Sequence, residues 1–368
     1  MNNTMNNTMN TTVNIAKEEN KLSNFDNLLI NNDRKKEALY EPLMKYKENP
    51  YAIISIESPD IRKLYDTHMA AFWHHKEVAI DKYKITKQIK EVSQDYLGGK
   101  NIIKTIKHML AYFAGSDGIV VVHLNELMGA ITDSDAILFY QCQCMIEGVH
   151  SIVYSNLLKA FCDGEELKKL MNAIYTVKSI KRKAEWALKY ITPKVSLGVR
   201  LIAFALVEGI FFSSSFATIY WVQYIFPDKF TALVDSNIQI ATDESLHVDF
   251  AVTMYKKVVN QVPRELVYRM TKNAVECECS FAEEVLGNEK FEFMNLKLMT
   301  KHIKHQANLI LNQLGYKSIY DIEESPFTFI SKLQMRGEAN FFSRHSKEYK
   351  HTADTSEVDF SNPKLKDI

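Results

Sequence analysis

CMIEGVHSIVY, residues 144–154, and ATDESLH, residues 241–247, each carry a Glu-x-x-His step: Glu147 with His150, and Glu244 with His247. Positions three apart on a helix share a face, so each step presents a carboxylate and an imidazole toward one point. A single such step is common on a solvated helix face. Two of them become specific beside a third stretch, AFALVEGIFFSSSFA at 203–217, where the lone carboxylate of Glu208 sits among Phe204, Leu206, Val207, Ile210 and Phe211. A carboxylate in such company is unfavourable unless it is paired or binds a cation. Helical bundles that hold two metal ions draw a Glu-x-x-His from each of two helices and a single carboxylate from each of two others. Carboxylate oxygens with imidazole suit iron or manganese better than zinc, which takes four ligands and often thiolates. Two neighbours extend the pattern. Tyr154 lies four residues after His150, one turn further along the same face, where plain core packing is the alternative reading. Asp243, just before Glu244, is placed to accept a hydrogen bond from a ligand imidazole.

The rest of the chain fits an all-α protein. Of 368 residues only 12 are Gly and 8 Pro, which favours long helices over a loop-rich β-fold. Lys+Arg and Asp+Glu balance at 45 each, so charge gives no reason to expect nucleic acid or an anionic membrane as partner. Cys142, Cys144, Cys162, Cys277 and Cys279 are odd in number and lack C-x-x-C spacing, so reduced, partly buried thiols are expected rather than a disulfide framework. The opening MNNTMNNTMNTT has neither a basic nor an apolar region, so it does not read as a signal peptide, and a cytoplasmic location is expected. Residues 196–226 are apolar enough to span a bilayer. Arg200 and Glu208 inside them favour the buried central helix of a bundle instead.

Along the chain, residues 1–25 read as a disordered Asn/Thr-rich start. An extended arm follows at 45–60, and helical periodicity begins near Asp60. A Lys-rich segment ends at the Gly98-Gly99 turn. Helices are then predicted over 101–127, 133–161, 165–190, 196–226, 229–260, 264–286 and 292–314, with Gly287 and Gly315 as C-terminal caps and Pro193, Pro227 and Pro263 as stops. The expected organisation is one helical domain over 45–345 and a flexible tail over 346–368.

The segments FAGSDGIV, CMIEGVHSIVYS, KRKAEWAL, AFALVEGIFFSSSFA, ATDESLH and GEANFF, in that order, resemble the small subunit of class I ribonucleotide reductase of the eukaryotic type, over roughly residues 50–350. The resemblance implies a ferritin-like helical bundle with a carboxylate di-iron or dimanganese site. It implies Glu147, His150, Glu208, Glu244 and His247 as metal ligands and Tyr154 as the radical-bearing tyrosine. Phe212, Phe216 and Ile240 fall on the apolar pocket that shields the radical. Tyr349 falls on the tail tyrosine that hands it to the large subunit. In such proteins the metals activate dioxygen and oxidise the tyrosine, and the stored radical starts nucleotide reduction in the large subunit. The implied partners are that large subunit and a second small subunit, in a homodimer or heterodimer.

Three departures from the resembled pattern on its functional route, and a fourth in the C-terminal end, bear on this expectation. After the F-W pair the pattern FW-x-x-x-E-V-D would place the sixth ligand at Ala79, within FWHHKEVAID at 72–81, so Asp81 is the expected substitute, with Glu77 a weaker one. The relay tryptophan expected eleven residues before Trp73 is Arg62, and the arginine expected before Asp243 is Thr242. The end, NPKLKDI, also lacks an acidic, Phe-terminated docking tail. Three readings follow: a working small subunit that uses Asp81, an impaired paralogue that pairs with and regulates an intact small subunit, and a ferroxidase or iron-storage bundle. The departures favour the paralogue. Retention of Tyr154 and five ligands argues that some metal still binds, in a partially or weakly loaded site, because buried carboxylates without a cation destabilise a core.

Overall fold

The computed structural model describes residues 34–45, 58–192, 194–287 and 289–330. Those up to Pro326 belong to one compact unit, while Phe327 onward belongs to a second, of which only the first four residues are described. The expected disordered start, most of the expected arm at 45–60, Tyr349 and the tail at 346–368 lie outside the described residues.

A one-turn helix, Arg34–Glu37, and a 3-10 turn, Pro42–Met44, lead in. Their two buried glutamates cap later elements. Glu37 accepts from the Leu197 N–H at 2.8 Å, and Glu41 from the N–H groups of Val259 and Asn260, both at 3.0 Å. The bundle proper begins with α1, Pro59–Ala70, whose first turn carries the proline, where a missing N–H costs nothing. The Lys-rich segment forms α2, Lys82–Asp95, which buries Ile85, Gln88 and Val92 on one face. Gly98 (φ +74°) turns the chain, and Gly99 must lack a side chain, since a Cβ there would lie 1.8 Å from the Val92 carbonyl oxygen.

Two long helices, α3 (Gly99–Met128) and α4 (Ser134–Phe161), form the most extensive pair among the described residues. The predicted helix over 165–190 is three pieces: α5 (Gly164–Met171), α6 (Ala173–Thr176) and α7 (Lys178–Tyr190). The Asn172 amide donates to the Lys168 carbonyl and closes the first piece, and Val177 is extended. The long apolar stretch is also interrupted: α8 (Leu197–Leu206), a π-helical turn (Val207–Phe211) and α9 (Ser213–Ile225). Taken together, Leu197–Ile225 is long and apolar enough to cross a membrane, but 89% of its most apolar window is buried inside the protein, as expected of a central bundle helix. Full burial of each Leu, Ile or Phe here contributes roughly 1.5–3 kcal/mol.

Then come α10 (Thr231–Lys256) and α11 (Arg264–Leu286). The last predicted helix begins later than expected, because a two-residue antiparallel pair precedes it: β1 (Lys290–Phe291) and β2 (Met294–Asn295), joined through Phe293 at φ +62°. Asn295 then caps α12, Leu296–Gln313, by accepting from the Leu298 N–H. α10 packs on α8, α1, α4 and the π-turn, so the three stretches that opened the sequence reading converge between α4, α10 and the π-turn. All five cysteines are free, as expected.

Candidate metal centre

Four elements supply the centre. α4 presents Glu147 and His150, α10 presents Asp243, Glu244 and His247, the π-turn presents Glu208, and α3 presents Asp117. All seven side chains are buried. Ligand atoms of Glu147, Glu208, Glu244 and His247 all lie within 4.8 Å of one another. His150 joins them: its Nδ1 lies 3.4 Å from Glu147 Oε2 and 3.2 Å from Glu244 Oε1. His247 Nδ1 faces the opposite oxygens, Glu147 Oε1 at 3.2 Å and Glu244 Oε2 at 2.9 Å. Each of the two carboxylates therefore offers one oxygen to the His150 side and one to the His247 side. That is the donor arrangement of a site for two neighbouring cations.

Electrostatics support the same reading. Glu208 is pushed well up by burial, then by the charges of Glu244 and Glu147. Burial acts against the charge on Glu147, yet hydrogen bonds from His150 and His247 hold its carboxyl below the usual range. Burial opposes charge on the imidazoles too. The surrounding carboxylates overcome it, Asp243 foremost for His150 and Glu244 for His247, so both are raised, His247 to about 9. With the chain's own groups alone, two imidazolium protons hold the carboxylates together. Divalent cations would do so more strongly, and Glu208 Oε2 and Asp117 Oδ2 are buried oxygens with no hydrogen-bond partner. Hard oxygens with two imidazoles fit iron or manganese, so the residues present fit a di-metal group.

Asp81 is not part of this cluster, and the expectation that it replaces a missing ligand is corrected. Asp81 is exposed, and its carboxylate accepts from the Lys84 N–H, capping α2. Ala79 is exposed as well, and Glu77 caps a 3-10 turn by accepting from the His74 N–H. The carboxylate that the sequence reading missed is Asp117. It is 1% exposed, and after burial the groups that act on it most are Glu147, His150 and Glu244. Its signal was present, since Phe113, Asp117, Val120 and Leu124 run at helical spacing along the buried stripe of α3. An acid on that stripe requires the same explanation as Glu208.

The two remaining positions of departure, Arg62 and Thr242, lie in ordinary structural contacts. Arg62 is bonded to the fully buried Asp135 at the start of α4. The indole in contact with the centre is Trp73, whose Nε1–H donates to Asp243 Oδ2 at 2.8 Å. That same oxygen lies 2.9 Å from His150 Nε2. Asp243 thus bridges the Trp73 indole to the His150 imidazole. Thr242, the other departure, donates to the Ile238 carbonyl of its own helix.

Tyr154 is 1% exposed, and its hydroxyl has no hydrogen-bond partner. Its ring stacks on Phe113 at 4.3 Å, and Phe113 packs in turn against Phe212 and Phe216. Ile240 is fully buried on α10. Burial, and next the Asp117 carboxylate, push the phenol well above its usual range, so it stays protonated.

Residues 51–326 match the model of the family described as "Ribonucleotide reductase, small chain". The chain is 35% identical over 320 residues to the ribonucleoside-diphosphate reductase small subunit of Dictyostelium discoideum, covering 86% of this chain and 91% of that one. It is 37% identical over 321 residues to the small chain of Variola virus, covering 87% and 97%. Among solved structures it resembles the ribonucleotide reductase Rnr4 homodimer from Saccharomyces cerevisiae, with TM-score 0.68, 22% identity, and 83% and 95% of the two chains covered. It also resembles the dimanganese(II)-NrdF of Streptococcus sanguinis, with TM-score 0.63, 16% identity, and 80% and 99% covered. These two structural likenesses bear on the fold.

Proposed function

The chain belongs to the ribonucleotide reductase small-chain family, and on that premise we propose that it is a radical-generating small subunit with a complete di-iron centre, serving the reduction of ribonucleoside diphosphates to deoxyribonucleotides. The observation that carries this is the pair of carboxylates, Glu147 and Glu244, each spanning His150 and His247. Glu208 and Asp117 bring the ligand set to six. The sequence argument for an impaired paralogue rests on three departures: Ala79 at the sixth-ligand position, Arg62 at the relay position and Thr242 before Asp243. Asp117 and the Trp73–Asp243–His150 chain support the competent reading on the first two of these.

Iron ions bound here would supply, with dioxygen, an oxidant strong enough to take an electron from a phenol. The residues do the rest. Tyr154 keeps its proton until oxidation, and Asp117, the carboxylate that weighs most on it, is the candidate base for that proton. Phe113 covers one face of the ring and excludes water that would quench a stored radical. Asp243 fixes the imidazole of His150 and joins it to Trp73, an oxidisable side chain that would carry charge between the centre and the surface. Tyr349 is the proposed onward carrier to the large subunit. The protein works in the cytoplasm, as a dimer of small subunits docked to that large subunit.

The test is anaerobic loading of purified apo-protein with ferrous iron, then dioxygen, with iron per chain and the electron paramagnetic resonance spectrum recorded. About two ions per chain and a tyrosyl signal that Tyr154→Phe abolishes are expected. Asp117→Ala lowers loading and Asp81→Ala leaves it unchanged. Loading that survives Asp117→Ala but fails with Asp81→Ala overturns the ligand assignment, and loading with manganese alone overturns the choice of iron. A loaded protein that neither binds a reductase large subunit nor supports nucleotide reduction with it is a ferroxidase instead.

A further inference from the structure

The two ligand imidazoles are held from behind by different groups. A metal-ligating histidine bonds through one nitrogen, and the partner of the other nitrogen fixes its tautomer and ring orientation. For His150 the outer partner is Asp243. For His247 it is a third histidine, His68, on α1. His68 Nε2 lies 3.4 Å from His247 Nε2, and the two rings meet edge to face at 5.1 Å between centroids. His68 is 1% exposed and stacks on Phe139 at 5.0 Å, and Phe139 stacks on Phe250 at 3.6 Å. Its other nitrogen, Nδ1, is buried with no hydrogen-bond partner. A hydrophobic side chain would fill that place without leaving a polar atom unsatisfied, so the imidazole calls for a reason.

The tautomers supply it. His247 Nδ1 faces Glu147 and Glu244, the cation side, so its lone pair must point there when a metal binds. Its Nε2 then carries the hydrogen and needs an acceptor. Among the described hydrogen bonds, the acceptor within reach is the lone pair of His68 Nε2. That assigns the His68 hydrogen to Nδ1, the atom without a partner. His68 is buried and stacks on Phe139, apolar surroundings that suit the uncharged ring an acceptor requires.

We infer that His68 is the positioning residue for His247: it accepts the His247 Nε2–H and so presents Nδ1 to one of the two metal ions, while Asp243 does the same for His150. The two ions are therefore backed unequally, one through an anionic carboxylate and the other through a neutral imidazole. This rests on the di-metal reading above.

The experiment is anaerobic titration of the full-length apo-protein with manganese(II), followed by the loss of the free-ion paramagnetic resonance signal, for wild type, His68→Leu and His68→Gln. Gln offers a carbonyl acceptor and Leu offers none. Circular dichroism of each apo-protein confirms that it is helical before titration. The expected result is two equivalents in wild type. In His68→Leu one of them weakens by about 10–100-fold while the other stays within about threefold, and His68→Gln restores it. Any result in which neither equivalent moves, in which both move by the same factor, or in which Gln fails to restore overturns the inference. A wild-type protein that binds no ion at all overturns the di-metal reading itself, which keeps the two failures apart.

Discussion

At the scale of single residues, Asp117 and Asp81 show why one acid was misplaced and the other missed. One precedes a helix and the other lies inside one, and the resembled pattern favours the one near the F-W pair. Physical position separates them. Asp81 precedes a helix and finds its partner in a backbone N–H of the first turn, where an exposed carboxylate is worth about 1 kcal/mol. Asp117 sits where burial forbids an unpartnered charge, on a stripe that the apolar periodicity of α3 already marked. Glu147, His150, Glu208, Glu244 and His247 were legible because two of their helices repeat one spacing. Asp117 and His68 have no such spacing, and only the packing of α3 and α1 brings them in. The same scale carries a prediction about acid. His302 is held neutral by burial, with His305 adding to the effect, so that its value falls to about 3. Below about pH 6.5 the unfolded chain takes up a proton that the folded one refuses, so stability falls on acidification, by up to about 1.4 kcal/mol per pH unit. Urea unfolding of the apo-protein between pH 6.5 and 5 is expected to show a slope shallower by about that amount in His302→Asn than in wild type. Equal slopes would mean that the imidazole protonates in place.

At the scale of the element, the sequence marked the helices well and their interruptions poorly. Proline, glycine and a 3.6-residue repeat place α3, α4 and α11 within a few residues. The π-turn has no such mark, since one extra residue per turn leaves the apolar run at 203–217 unchanged. Its brace lies elsewhere. Lys183 of α7 is buried, donates to the carbonyl of Phe211, the last residue of the turn, and forms an ion pair with Glu278 Oε2 of α11 at 2.6 Å. Glu278 in turn accepts from the backbone N–H and the hydroxyl of Ser214, just past the turn. Lys183 also lies over the ring of Tyr112 at 3.4 Å. Burial pushes both charges toward neutral, lowering Lys183 to about 8 and raising Glu278, while their mutual attraction resists. Lys183→Met would strand Glu278, so a loss of about 3–5 kcal/mol in unfolding free energy is expected. Adding Glu278→Gln should recover most of it. A single variant as stable as wild type would show that the brace carries no load.

At the scale of the whole molecule, the fold class was readable because so few glycines and prolines interrupt so many apolar residues at helical spacing, and the buried stretch over 197–225 follows from the same pattern. What could not be read was which helices meet. The lead-in shows this: Glu37 and Glu41 cap the ends of segments more than 150 residues away, and nothing local announces those pairings. One long-range pairing has an optical side. The chain holds three tryptophans, Trp73, Trp186 and Trp221, and only the first is hydrogen-bonded into the centre, through Asp243, with its ring stacked on His150 at 5.9 Å. A paramagnetic ion beside that imidazole drains the excited state of the neighbouring indole. Anaerobic addition of ferrous iron or manganese is therefore expected to dim part of the tryptophan emission, and Trp73→Phe to remove the metal-dependent part while Trp186 and Trp221 go on shining. Emission that ignores loading would place the ions out of the indole's range. With the quench present, filling of the centre can be watched as light, continuously and on the unlabelled chain.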